Sequence, residues 1–164
     1  MDIFYIPSTG GGQLHCRKWL PESQPKAIVQ IVHGIAEHIG RYDHFARFLN
    51  THGYLVVAED HMGHGGSITG GVQGYFDGGW MNAVADVKAL HDRTALEHPG
   101  LPYIFLGHSM GSFLLRTYLY TYPSDLDAAI ISGTGWESPA TLKAGLLVCK
   151  LEEKRLGETK TSPV

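Results

Sequence analysis

Runs of apolar residues alternate with amphipathic stretches along most of this 164-residue chain. From residue 27 onward, the runs have the length and β-branched content of buried strands, and the stretches between them have helical spacing. This alternation predicts a parallel sheet with crossover helices. Before residue 27, two strand patterns flank a glycine-rich turn, which predicts an antiparallel hairpin. The predicted strands span 2–7, 13–19, 27–32, 54–58, 103–106 and 128–132, and the predicted helices span 42–50, 81–97, 138–157 and the stretch between Ser109 and Pro123.

Residue spacing also predicts which side chains face the core. Ala27–Val32 and Ala128–Ser132 are apolar nearly throughout, so both are expected to be buried strands, and the first is expected to be a central strand covered on two faces. The helical patterns each carry one apolar stripe. The stripe residues are Tyr42, Phe45, Phe48 and Leu49 in the first helix and Val84, Val87, Leu90 and His91 in the second. Apolar residues also repeat at helical spacing in the last helix, at Leu142, Leu146, Cys149 and Leu156, but whether this side packs in a core stays open.

A single serine lies where the predicted strand at 103–106 turns into the next helix. The pentapeptide Gly107-His108-Ser109-Met110-Gly111 matches the pattern G-x-S-x-G, called the nucleophile elbow. In that pattern the serine hydroxyl stands clear of a tight turn, and the two glycines let strand and helix approach closely. The pattern indicates a nucleophilic serine, and the structural alternative is a glycine-rich turn whose serine caps the helix.

Composition narrows the classes of partner. The formal charge is −3, so the chain has no excess of basic residues for binding nucleic acid. Cys16 and Cys149 lie far apart, which favours free thiols in a reducing compartment over a disulfide framework. The first residues lack the pattern of a signal peptide, and no stretch has the ~20 apolar residues of a membrane span. A cytoplasmic protein, or one peripheral to a membrane, is therefore expected.

Three motifs follow one another along the chain, each at the end of a predicted strand. They are His33-Gly34-x-x-Glu37-His38, Asp60-His61-x-Gly63-His64-Gly65-x-Ser67 and the pentapeptide around Ser109. In this order they resemble the α/β-hydrolase fold, and within it the branch of monoacylglycerol lipases, lysophospholipases and serine-aminopeptidase-like hydrolases. Met62 departs from the family pattern, which usually has arginine there.

The resemblance implies a role for each motif. Ser109 is expected to be the catalytic nucleophile, and the backbone amides of Ile35 and Met110 are expected to form the oxyanion hole. The other motif residues are expected to shape the site; they are His33, Gly34, Glu37, His38, Gly107, His108 and Gly111. The implied reaction is hydrolysis of a carboxylic ester, such as a monoacylglycerol or a lysophospholipid, through an acyl-enzyme. Neither a cofactor nor a metal ion is implied.

The base that a catalytic serine needs is not found where the fold expects it. All ten histidines lie at or before His108, whereas in this fold the order is serine, then acid, then histidine. We therefore expect residues 1–135 to be the N-terminal part of a hydrolase core and residues 136–164 to begin its lid. Such a chain would lack the acid and base of the triad, and its sheet would have an open edge prone to self-association.

Several alternatives remain open at this stage. The chain is either part of an ester hydrolase, a peptidase of the same fold, or an inert binding protein on a truncated hydrolase scaffold. His33, His38 or His64 is a further candidate base, although ordering of loops by hydrogen bonds is the expected role of these residues. The spacing of His33, Glu37 and His38 does not match a zinc helix. Asp60, His61 and His64 have metal-ligand chemistry, but turn formation accounts for them better.

Overall fold

The computed structural model describes residues 1–68, 73–75, 78–157 and 160, and these contain six strands and four α-helices. The strands are β1 (Asp2–Pro7), β2 (Gln13–Trp19), β3 (Ala27–Val32), β4 (Tyr54–Glu59), β5 (Tyr103–His108) and β6 (Ala128–Ser132). The helices are α1 (Asp43–Thr51), α2 (Gly79–Glu97), α3 (Met110–Thr121) and α4 (Pro139–Leu156), and short 3-10 turns span Ile39–Tyr42 and Gly65–Ser67.

The six strands form one sheet in the order β1-β2-β4-β3-β5-β6. The four strands from β3 onward run parallel, while β2 pairs antiparallel with β1 and with β4. The predicted hairpin and parallel sheet are therefore both confirmed. In the ladder between β3 and β5, Val32 lies opposite Gly107. The loops that follow these two strands consequently leave the sheet side by side.

Side chains of the central strands alternate between two hydrophobic clusters. Ile28 and Val32 of β3 belong to the cluster that contains buried residues of α2 and α3. Val29 and Ile31 belong to the other cluster, which contains Ala46 of α1. A strand covered on both faces needs apolar residues at successive positions, which is why Ala27–Val32 is buried throughout. Helices thus cover both faces of the sheet, as predicted.

Two polar side chains interrupt the apolar pattern of the central strands. Gln30 on β3 is fully buried; its amide nitrogen donates to the carbonyl of Val87 at 3.0 Å, and its oxygen accepts from the Tyr103 hydroxyl at 2.5 Å. Glu59 at the end of β4 is fully buried as well, and burial raises the pKa of its carboxyl well above the ordinary value. A buried polar group needs hydrogen-bond partners, and Gln30 has them on two different elements.

The prediction that Ala128–Ser132 is buried is wrong. These residues do form β6, but Ile130 is 50% exposed and Ile131 is 36% exposed. Within the described part of the chain, β6 pairs with β5 alone and so lies at the edge of the sheet. Apolar content cannot distinguish an edge strand from a central one, and an edge strand receives less cover. Phe48, expected on the buried stripe of α1, is likewise 53% exposed.

The chain divides into two compact units, Met1–Thr134 and Gly135–Val164. The second unit contains α4, which begins as its sequence predicts: the Ser138 side chain accepts a hydrogen bond from the Thr141 amide, and Pro139 occupies the first turn. Gly157 ends the helix with a positive φ of 87°. The interpretation of this unit as the start of a lid stays a prediction.

Parts of two predicted segments lie outside the described residues. They are positions 69–72 and 76–77 of the glycine-rich loop, and positions 158–159 and 161–164 near the C-terminus. None of the helices that the structure describes has the length and apolar character needed to cross a membrane.

Candidate active site

Ser109 occupies the turn between β5 and α3. Its backbone has φ 51° and ψ −119°, and it is one of two non-glycine residues with positive φ in the described chain. A residue with a side chain adopts such a conformation at a cost of about 1–3 kcal/mol, and strain of this kind clusters at functional sites. The Ser109 amide donates to the Ser132 carbonyl at 3.0 Å, which ties the turn to the end of β6. The sharp turn predicted from the pentapeptide is present.

The two glycines of the pentapeptide are required by close backbone approach. A Cβ atom on Gly111 would lie 2.6 Å from the carbonyl oxygen of His33 and closer still to that of Val32. A Cβ atom on Gly107 would lie 2.6 Å from the carbonyl oxygen of Gly111. Real Cβ contacts are essentially never shorter than 3.0 Å. Glycine at both positions therefore lets the start of α3 pack directly against β3 and β5.

The loop after β3 runs beside the serine. A Cβ atom on Gly34 would be 3.0 Å from the Ser109 Cβ and 3.2 Å from the His108 carbonyl oxygen. Ile35 follows with 66% of its surface exposed, and Ala36 has a positive φ of 56°. Met110 is the first residue of α3, where backbone amides lack intrahelical partners and carry positive partial charge. The structure thus brings Gly34 and Ile35 together with Ser109 and Met110.

The Glu37 carboxylate is hydrogen-bonded to the same loop. One of its carboxylate oxygens accepts hydrogen bonds from the Gly34 amide and, at 2.9 Å, from the Tyr42 hydroxyl. The other oxygen lies 3.0 Å from Arg41. His38, the last residue of that motif, is exposed. A shallow cavity of about 260 Å³ opens beside these groups and is lined by Glu37, Arg41, Tyr42, Leu106, His108 and Ser132.

Three histidines gather behind the loop. His33 is fully buried, and the centroid of its ring lies 4.0 Å from the ring centroid of His61 and 5.4 Å from that of His64. Nδ1 of His33 donates to the Gly34 carbonyl at 2.7 Å, and Nε2 accepts from the His61 amide at 3.0 Å. Burial lowers the pKa of His33 to about 4 and that of His61 well below its ordinary value, so both rings are neutral near pH 7. Loop-ordering contacts of this kind are those expected from the sequence.

No imidazole bonds to the serine hydroxyl within residues 1–68, 73–75, 78–157 and 160. The hydrogen bonds found at Ser109 all use its backbone: the amide donates to Ser132, and the carbonyl accepts from Ser112. His108 turns away, and its Nδ1 lies 3.3 Å from the Ser132 hydroxyl. Among the described residues, the geometry therefore presents a strained serine without an imidazole in contact with its hydroxyl.

Asp60 has a larger role than its sequence context indicates. One carboxylate oxygen accepts from the Ile39 amide at 2.7 Å, and the other contacts the His15 ring and the Gly66 amide, both at 2.8 Å. The residue therefore ties β2, the loop after β3 and the loop after β4 to one another. Sequence alone indicates only a turn-forming acid after a strand. The positive φ of Ala36 is likewise missed, because nothing local distinguishes this alanine.

Asp60, His61 and His64 do not form a ligand cluster, since Asp60 is engaged as just described. Among the described residues, one group has three potential ligand atoms within 4.8 Å of one another; it consists of His91, Asp92 and Asp125. The Lys88 ammonium lies against both of these carboxylates, 3.1 Å from Asp125. The Lys88 ammonium therefore already offsets one of the two negative charges.

Comparison with known proteins gives the same assignment. A sequence profile of the family described as "Serine aminopeptidase, S33" matches residues 23–160. The chain is 40% identical over 124 residues to the monoacylglycerol lipase of Mycolicibacterium smegmatis, covering 76% of this chain and 43% of that protein. It is 41% identical over 116 residues to the human monoglyceride lipase, covering 67% of this chain and 35% of that protein. The chain thus spans less than half the length of both relatives.

Solved structures agree at the level of the fold. A thermostable carboxyl esterase from Bacillus coagulans superposes with a TM-score of 0.86 and 31% identity, covering 98% of this chain and 53% of that one. A soluble variant of the monoglyceride lipase from Saccharomyces cerevisiae superposes with a TM-score of 0.80, although only 19% of residues are identical. The profile match, the relatives and the superpositions lead to one conclusion: this chain belongs to the serine aminopeptidase S33 family, within the α/β-hydrolase fold.

Proposed function

We propose that this protein is a serine hydrolase that cleaves carboxylic esters, with Ser109 as the nucleophile. The observation that carries the proposal is the backbone of Ser109, held at φ 51° and ψ −119° between β5 and α3. This conformation lifts the hydroxyl out of the strand and frees it from the hydrogen bonds of the turn. In the proposed reaction, Ser109 Oγ attacks the ester carbonyl carbon, the alcohol departs, and water later releases the acyl group.

Two backbone amides are proposed to stabilise the tetrahedral oxyanion. Met110 begins α3, and Ile35 follows the glycine whose Cα lies against Ser109. Both amides are proposed to donate into the space beside the serine hydroxyl, where negative charge develops on the former carbonyl oxygen. Loss of one such donor typically costs about 2.7–4 kcal/mol of transition-state stabilisation.

The general base is proposed not to be one of the ten histidines of this chain. All of them lie at or before His108, and His33 uses both ring nitrogens in hydrogen bonds to backbone. The His108 ring contacts the hydroxyl of Ser132 rather than that of Ser109. Proton transfer requires the base within hydrogen-bond reach, so these rings are unsuited to the task.

Monoacylglycerols are the proposed substrate class, with lysophospholipids as close chemical relatives. Support comes from the relatives named as monoacylglycerol or monoglyceride lipases, which share up to 41% identity with this chain. The family description also includes aminopeptidases, so an amide substrate is the alternative within the same fold. No cofactor has a part in this chemistry.

Two measurements test the proposal. First, the native polypeptide, expressed from its natural reading frame, is assayed on a monoacylglycerol and on an aminoacyl amide. We expect ester hydrolysis that Ser109→Ala abolishes and that Thr51→Ala, an exposed change at the end of α1, leaves intact. Second, the 164-residue chain is treated with an activated fluorophosphonate. Slow labelling is expected, and rapid stoichiometric labelling of Ser109 would show that one of its own histidines acts as the base.

A second candidate function is a non-catalytic binding protein on a hydrolase scaffold. It is favoured by the hydrogen bonds of Ser109, which use only its backbone among the described residues. In that case, the native polypeptide would hydrolyse neither ester nor amide, yet a monoacylglycerol ether analogue would still bind. The hydrolysis assays separate this candidate from a hydrolase, and calorimetric titration with that analogue shows whether an inactive protein still binds it.

A further inference from the structure

We propose that His33 is a positioning residue that aims the Ile35 amide at the oxyanion, by holding the peptide group between Gly34 and Ile35. The inference deepens the proposed function and rests on it for its catalytic meaning. It requires a particular tautomer of His33, with the proton on Nδ1, and this requirement can be tested without any catalytic assay.

The first step is the geometry of one peptide group. The carbonyl of Gly34 and the amide of Ile35 belong to the same planar unit, and the described chain contains no cis peptide bond. In a trans peptide the C=O and N–H vectors point in opposite directions. The Nδ1 atom of His33 donates to this carbonyl at 2.7 Å. Fixing the carbonyl against the buried His33 ring therefore turns the Ile35 N–H away from that ring. Gly34 itself lies next to Ser109, since a Cβ atom on it would be 3.0 Å from the Ser109 Cβ.

The second step concerns the neighbouring peptide group. The amide of Gly34 donates to the buried carboxylate of Glu37, which also accepts from the Tyr42 hydroxyl at 2.9 Å. The two peptide planes that flank Gly34 are thus held by different side chains. A glycine without such restraints would rotate readily, because it lacks a Cβ atom. His33 holds the plane that contains the proposed oxyanion donor, and Glu37 holds the other.

The third step fixes the tautomer. A carbonyl oxygen only accepts, so the bond to Gly34 requires a proton on His33 Nδ1. The His61 amide donates to His33 Nε2 at 3.0 Å, so Nε2 carries no proton. His61 Nε2 in turn donates to the carbonyl of His33 at 3.1 Å. The His33 ring is therefore neutral, and each ring is hydrogen-bonded to the backbone of the other residue.

The experiment uses the 164-residue chain labelled with ¹⁵N and ¹³C at pH 7. Long-range ¹H–¹⁵N correlations report which ring nitrogen of each histidine carries the proton. We expect a protonated Nδ1 and a bare Nε2 for His33, and a protonated Nε2 for His61. A charged His33 ring, or one protonated at Nε2, would overturn the proposal even if the protein proves to be an active esterase.

Two substitutions of His33 separate positioning from packing. In His33→Asn the amide nitrogen stands as many bonds from Cα as Nδ1 does, so the donor to the Gly34 carbonyl is kept. His33→Leu fills similar space without a donor. We expect the ¹³C shift of the Gly34 carbonyl to move in His33→Leu and to stay near its original value in His33→Asn. Equal shifts in both variants contradict the proposal.

His52→Leu is the matched control. His52 also bonds a backbone carbonyl through Nδ1, that of Phe48 at 2.9 Å, but it lies at the exposed end of α1. This variant should leave the Gly34 carbonyl unchanged. In the native polypeptide, His33→Leu should lower kcat by about 10²–10³-fold with little change in KM, as for loss of one oxyanion donor, and His33→Asn should recover most of it. If wild type hydrolyses no ester, the proposed function fails while the tautomer result stands by itself.

Discussion

Replacement of Gly111 by alanine tests the tightest backbone contact in the protein. Helix propensity alone favours the change, because alanine is more favourable than glycine by about 1 kcal/mol inside a helix. The structure predicts the opposite sign. The new Cβ atom would lie 2.6 Å from the His33 carbonyl oxygen and closer still to the Val32 carbonyl oxygen, so α3 and β3 must separate before these contacts reach the 3.0 Å limit.

The size of the effect follows from these contacts. Overpacking of a core typically costs about 1–3 kcal/mol, and the upper end applies here because both contacted groups are backbone at the end of a central strand. Subtracting the propensity gain leaves a net loss of about 2 kcal/mol. In a chain of this size, such a loss lowers Tm by about 4–8 °C. Thermal unfolding followed by circular dichroism measures the shift.

Gly145→Ala in α4 is the control for this reasoning. A Cβ atom there meets nothing within 4 Å, so only the propensity gain remains and Tm should not fall. If Gly111→Ala also left Tm unchanged or raised it, α3 would not approach β3 as closely as described. The account of both glycines of the pentapeptide would then be wrong.

Three further predictions concern stability and association. Ala36→Gly should raise stability by about 1 kcal/mol in urea unfolding, because it relieves the positive φ of 56°, and no gain would show that the loop is unstrained. The pKa of His33 is about 4 in the folded protein and 6.5 in the unfolded chain, so the unfolded chain binds more protons between these pH values. Acidification from pH 6.5 to 4 should therefore lower the free energy of unfolding by about 3 kcal/mol. The loss of stability on acidification should be smaller in His33→Asn, and equal pH profiles of the variant and the wild type would contradict this assignment. The raised pKa of buried Glu59 acts in the opposite direction, and equally in both proteins. Ile131→Lys on the edge strand should reduce self-association in sedimentation velocity, whereas a wild type that is already monomeric at high concentration would refute an exposed sticky edge.

The order of strands and helices could be predicted from sequence because each element carries a local signal. The all-apolar Ala27–Val32 predicted a central strand, and Ser138 followed by Pro139 predicted the start of α4. The sharp turn at Ser109 was predictable as well, since only the spacing of Gly107 and Gly111 is needed.

What could not be predicted depends on contacts between distant positions. The burial of β6 depends on neighbours across the sheet, which its five residues do not encode. The role of Asp60 depends on His15 and Gly66, which only the folded chain brings to its carboxylate. The hydrogen bond from His33 to the Gly34 carbonyl joins neighbours in sequence, but the His33 tautomer that this bond requires depends on the amide of His61.

The pairing of Val32 with Gly107 has a consequence for how this protein can diversify. Ser109 and the loop that begins at His33 leave two adjacent parallel strands, so main-chain hydrogen bonds of the ladder fix the spacing between them. Main-chain bonds do not change when side chains are exchanged. If Ser109 acts as proposed, acceptance of new acyl groups can therefore evolve by altering exposed positions such as Ile35, while the distance between Ser109 and the amides proposed to bind the oxyanion stays the same.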